Sequence, residues 1–177
     1  MTALYIASKI LTFPGAYLRG FWEHLTCKIL GLPIDVPGYL RIDEACGHVE
    51  HGLTQTGFAS YLMATGPGFM NFMTGFPMLL AGFINLRYMG ITAADSIGLF
   101  VFYILLTYVG ISLLCNVFPL VEDAMNLNDV AFSQRKMSLI GRILTFIPSK
   151  ITYLGAYLEK YAITFILWVV FMVLSFI

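Results

Sequence analysis

Residues 94–118 read ADSIGLFVFYILLTYVGISLLCNVF. After Asp95 the stretch carries no charge, and it exceeds the roughly 20 predominantly apolar residues that a helix needs to cross a hydrocarbon core of about 30 Å. Gly98, Gly110, Ser112 and Asn116 interrupt its bulk at points suited to close helix packing or interhelical hydrogen bonds. The whole chain fits this reading. Hydrophobic residues make up 59% of 177, charged residues only 11%, and the mean hydropathy is +0.82. These values describe an integral membrane protein made of one all-α membrane domain.

Working outward, residues 1–31 form a first hydrophobic unit, broken at Phe13-Pro14-Gly15 and ended by Gly31-Leu32-Pro33. Residues 32–57 form a polar loop that is long for a small bundle. Residues 58–88 form a second span, expected to be broken by Gly66-Pro67-Gly68 and Gly75-Phe76-Pro77. After the third span, residues 119–150 are polar, then amphipathic and basic, suited to lying along a membrane surface. Residues 151–177 supply a fourth span. The expectation is a polytopic helical protein of about four spans. Lys28, Arg41, Arg135, Lys136, Arg142 and Lys150 fall in the two polar loops or at their edges, against Lys9 and Arg87 on the other side. The positive-inside rule then places loops 32–57 and 119–150 in the cytoplasm.

Ten Lys and Arg balance ten Asp and Glu, which argues against nucleic acid as a partner, and no basic cluster stands out as a strong anionic-lipid site. Cys27, Cys46 and Cys115 are odd in number and widely spaced, so they are expected to be free thiols. Met1 to Leu11 lacks the basic start and small-residue cleavage site of a signal peptide.

The chemistry concentrates in three islands. Glu44-Ala-Cys-Gly-His-Val-Glu-His51 holds Glu44, His48, Glu50 and His51. On a helical turn His48 and His51 would share a face and could ligate one metal, with Glu50 as a base or supporting partner. The bland alternative is a hydrated loop whose charges face water. Glu23-His24 lies inside the first hydrophobic unit, where an acid is costly unless paired, and Arg19, four residues earlier, offers an ion pair that neutralises both. Glu122-Asp123 follows the third span and reads alone as an acidic helix start. If the islands converged, Glu23, His24, His48, His51 and Asp123 would suit zinc, without excluding iron or manganese. Three histidines at these spacings do not favour a haem.

The order of landmarks resembles small integral-membrane zinc metallopeptidases of the site-2 protease type, which typically show Pro-Gly, three residues, His-Glu-x-x-His, then an apolar run ending in Leu-Gly. Here Pro14-Gly15 and Leu30-Gly31 occupy both ends. Gly47 to His51 resembles the family's Gly-aromatic-Val-x-His segment, Gly66-Pro67 with Asn71 its Gly-Pro…Asn helix, and Asn116 to Asp123 the segment that supplies an acidic ligand. The likeness implies Asp123 as that ligand. On the same frame the first ligand His falls on Arg19, the catalytic Glu on Gly20 and the second ligand His on Glu23, so the usual motif is degenerate. In such enzymes the metal polarises the amide and acidifies a water whose proton the Glu takes, and Gly20 can do neither. Two readings follow. In one, the chain is a pseudoenzyme that binds a membrane protein or peptide partner. In the other, it is a noncanonical metal-dependent hydrolase with ligands Glu23, His24, His48, His51 and Asp123 and with Glu50 or Glu44 as base. Transport ranks below both, because outside Arg19 and Glu23 the spans offer little to line a polar path.

Overall fold

The computed structural model describes residues 2–36, 39–42 and 46–176. Its elements in order are α1 (Thr2–Leu11), α2 (Phe13–Leu30), β1 (Ile34–Val36), β2 (Glu50–His51), α3 (Gly57–Arg87), α4 (Ile97–Cys115), α5 (Val121–Asn128), a π-helical turn (Asp129–Ser133), α6 (Leu139–Lys160) and α7 (Ile163–Phe176). The fold is all-α apart from the short antiparallel β1–β2 pair, with Ile34 opposite His51 and Val36 opposite Glu50. Helices α3 and α4 are each long and apolar enough to cross a membrane, and α6 with α7 makes a third such segment if the 79° bend between them is counted within one span.

The break in the first unit lies at Thr12, with Pro14 in the opening turn of α2. There its missing N–H and fixed φ suit a helix start. Gly31 closes α2 in the left-handed conformation, its N–H bonded to the carbonyls of Cys27 and Lys28. The second unit differs from expectation: α3 runs unbroken through Pro67 and Pro77 for 31 residues, about 46 Å. Neighbouring helices and threonine hydroxyls can stabilise proline-bearing helices in membranes. Thr65 and Thr74 donate to the carbonyls of Tyr61 at 2.6 Å and Met70 at 2.8 Å, whereas the carbonyls that Pro67 and Pro77 leave without an N–H are those of Met63 and Met73, so it is the packing of the neighbouring helices that accompanies the continuous run.

Small residues bring α3 and α4 together. A Cβ on Gly110 would lie 2.5 Å from the backbone nitrogen of Leu79, and one on Gly75 2.6 Å from the Leu113 side chain. In lipid, where apolar attraction between helices is weak, such close backbone approach supplies the packing. The outward faces are apolar and exposed, with Phe102, Leu105 and Leu167 among them, as a bilayer-facing surface requires.

The two polar loops meet at one end of α3. Asn126 donates to Thr54 Oγ1 at 2.7 Å, and the Gly57 N–H donates to the Lys136 carbonyl at 3.3 Å. Beneath them Ala64, Leu127 and Ala131 form a small buried cluster with Tyr61, Phe132 and Met137 against it.

Candidate functional site

Helix α2 turns Ala16, Arg19, Gly20, Glu23 and Cys27 inward, positions spaced by three and four that share one face. The polar loop lies over this face. Gly47, at φ 84°, brings the turn so near that a Cβ there would sit 3.0 Å from that of Ala16. Tyr39 covers Gly20: a Cβ on Gly20 would stand 2.9 Å from the Tyr39 ring. Gly20 therefore lies under an aromatic side chain.

The Arg19–Glu23 pair expected from sequence is present, with Arg19 Nε 2.8 Å from Glu23 Oε1 and both side chains almost wholly buried. His48 joins it, its Nδ1 2.8 Å from the same oxygen. A carboxylate paired with a guanidinium only accepts, so this imidazole nitrogen is the donor. Glu23 Oε2 accepts the Val49 N–H at 3.0 Å. Arg19 Nη1 donates to the Val117 carbonyl at 2.6 Å, just after α4.

His51 goes elsewhere. Residues 48–51 are extended or irregular rather than helical, so the two histidines do not share the expected face. His51 Nε2 lies 3.5 Å from Asp123 Oδ1, and its Nδ1 lies 2.9 Å from the Gly52 carbonyl. With an acceptor at each ring nitrogen the imidazolium is favoured, and hydrogen bonding to Asp123 raises its pKa to about 9. This pair ties β2 to α5. Because the folded value lies above the ordinary 6.5, its stabilisation is complete below pH 6.5 and is lost as pH rises through about 9. We expect about 1 kcal/mol from this ion pair, read as a fall in the thermal midpoint between neutral pH and pH 10 that His51→Gln removes. An equal fall in that variant would exclude the pair as the cause.

The remaining expected residues stand apart. His24 packs edge-on to Tyr39, ring centroids 6.0 Å apart, and its buried Nδ1 has no partner among the described residues. Glu50 pairs with Arg41 at 2.6 Å and is 44% exposed, whereas Glu23 is buried. Glu122 is exposed. Glu44 lies outside the described residues. The three islands thus reach one neighbourhood, with Glu23 and Asp123 both within electrostatic range of Cys27, but they are sorted into separate pairs.

The Glu23 carboxylate is poorly placed to hold zinc. It already accepts three bonds, and the Arg19 guanidinium beside it is itself a cation. Among the described residues no group of three His, Cys, Asp or Glu side chains could hold a metal ion.

A second polar cluster escaped the sequence reading. Lys9, expected at the far side of the membrane, is 2% exposed and forms an ion pair with Glu159 of α6. Lys9 also donates to Asn116 Oδ1 at 2.7 Å, and Glu159 Oε2 accepts the Phe118 N–H at 3.0 Å. Asn116 Nδ2 donates to Thr12 Oγ1 at 2.9 Å, while Asn71 Nδ2 donates to the carbonyls of Gly15 at 3.1 Å and Asn116 at 2.8 Å. Gly15, Asn71 and Asn116, three scattered landmarks of the resemblance, therefore meet at one node. Comparison with known proteins finds no protein family, no curated protein and no solved structure that matches this chain.

Proposed function

We infer that this chain is an integral membrane scaffold of metallopeptidase-like design that binds a membrane protein or peptide and does not hydrolyse it. The observation that carries this reading is the engagement of both Glu23 oxygens, Oε1 by Arg19 and His48 and Oε2 by the Val49 N–H. An acid so held has little capacity left to bind a metal. The Tyr39 ring over Gly20 supports the same reading, since it fills the space that a base at position 20 would need. The meeting of Gly15, Asn71 and Asn116 supports the metallopeptidase-like frame.

In this reading the broken pair α1–α2 makes a fourth crossing beside α3, α4 and α6–α7. The buried Lys9 leaves the charge count. Arg87 then stands against the cations of the two polar loops, and the positive-inside rule puts those loops in the cytoplasm.

A metal-dependent hydrolase built from Glu23, His24, His48, His51 and Asp123 is the competing reading, favoured by the shared proximity of Glu23 and Asp123 to Cys27. Elemental analysis of detergent-purified protein, stripped of loosely held ions, separates the two. We expect far less than one zinc per chain, unchanged by His48→Ala/His51→Ala. About one zinc per chain that disappears in the double variant would overturn the scaffold reading.

A further inference from the structure

From Phe132 to Lys150 the chain has four cations, Arg135, Lys136, Arg142 and Lys150, and no acid. Leu139, Phe146 and Lys150, with the adjacent pair Arg142-Ile143 between the first two, are related by steps of three and four, so they form one stripe along α6. This stripe faces the π-helical turn. Between them lies an open groove of about 400 Å³ lined by Phe132, Leu139, Arg142, Ile143 and Phe146. Its walls are apolar apart from Arg142, whose Nε is buried and has no partner among the described residues. Lys150 sits at the groove's other end, 5.6 Å from the centroids of both phenyl rings and bonded to Asn128 Oδ1 at 2.6 Å.

We propose that this groove is a binding site for one anionic phospholipid, its phosphate taken by Arg142 and an acyl chain lying against Phe132, Ile143 and Phe146. Charge complementarity selects this occupant. A buried guanidinium N–H without an acceptor is costly, and a phosphate oxygen supplies a charge-assisted bond that a zwitterionic headgroup supplies less well, because its own cation is repelled by Arg142 and by Lys150 beside the two rings. The apolar walls ask for hydrocarbon, which a soluble anion lacks. Position agrees as well: the groove lies where the polar loops meet the apolar bundle, and Ile140, Leu144 and Ile147 beside it are exposed apolar residues suited to lipid. The sequence alone concealed the site because its cations are spread over sixteen positions, 135–150, and only the helix and the turn bring a cation and two rings together.

The test is native mass spectrometry of the full chain released from detergent after titration with phosphatidylglycerol, phosphatidylcholine of the same acyl chains, or inorganic phosphate. The expected result is preferential retention of a single phosphatidylglycerol, weakened about fivefold by Arg142→Gln and also weakened by Ile143→Gln. Ile143 is exposed, so its substitution leaves folding intact. Arg87→Gln, at the opposite end of α3, is expected to leave retention unchanged. Equal retention of the two lipids, retention indifferent to both groove substitutions, or displacement of the lipid by inorganic phosphate alone would overturn the proposal.

Discussion

Glu23→Ala is expected to lower the stability of the bundle by about 3–5 kcal/mol, the cost of leaving a buried charge without its partner. Arg19 is wholly buried and its Nε points at Glu23. With the carboxylate gone, the guanidinium keeps only the Val117 carbonyl among the contacts described above, the Val49 N–H loses its acceptor and His48 loses its only described hydrogen bond. His48→Ala should cost less, because Glu23 keeps Arg19 and Val49. Replacing both members, Arg19→Leu with Glu23→Leu, should be milder than Glu23→Ala alone, since no charge is then stranded. Thermal unfolding in detergent reads all three. A Glu23→Ala protein that melts with the wild type would show that the triad does not hold α2 to the loop.

The second large effect belongs to Lys9 and Glu159. Lys9→Met strands the Glu159 carboxylate with one backbone donor at Phe118, and Glu159→Met strands the ammonium with Asn116 and the Tyr5 ring 5.2 Å away. Each is expected to cost about 3–5 kcal/mol, and the double variant less than either. The three unfolding midpoints test this directly. A double variant whose loss equals the sum of the single losses would mean that the two charges are held by separate surroundings.

What the sequence made legible is local. The apolar run of 94–118 became α4, the proline and glycine signals of the first unit placed its break within a residue or two, and the four-residue spacing of Arg19 and Glu23 gave an ion pair. Each follows from helix geometry over a single turn or span. His48 and His51 were misleading for a related reason: spacing by three implies a shared face only on a helix, and this segment is extended. Lys9 was misread because a lone lysine near a hydrophobic segment fits the positive-inside rule as well as it fits burial. Its partner lies 150 positions away, and periodicity carries no information on contacts at that range. The interruption expected in α3 failed because proline is judged by its own lost hydrogen bond, whereas the packing of α3 against α4 through Gly75 and Gly82 also decides whether the helix runs on. Of the candidate site, the residues were legible and their partners were not.

The Lys9–Glu159 pair also sets an order of events during synthesis. At roughly 5–20 residues per second, the 150 residues that separate the two take about 8–30 s to be made. Throughout that interval the first helix carries a cation whose partner has not yet been translated. An unpaired ammonium is costly in hydrocarbon, so the favourable place for Lys9 during that interval is in contact with water until α6 emerges. This contact therefore closes only after α6 has been made, and a ribosome that stops before α6 leaves behind an intermediate marked by an unneutralised charge in α1.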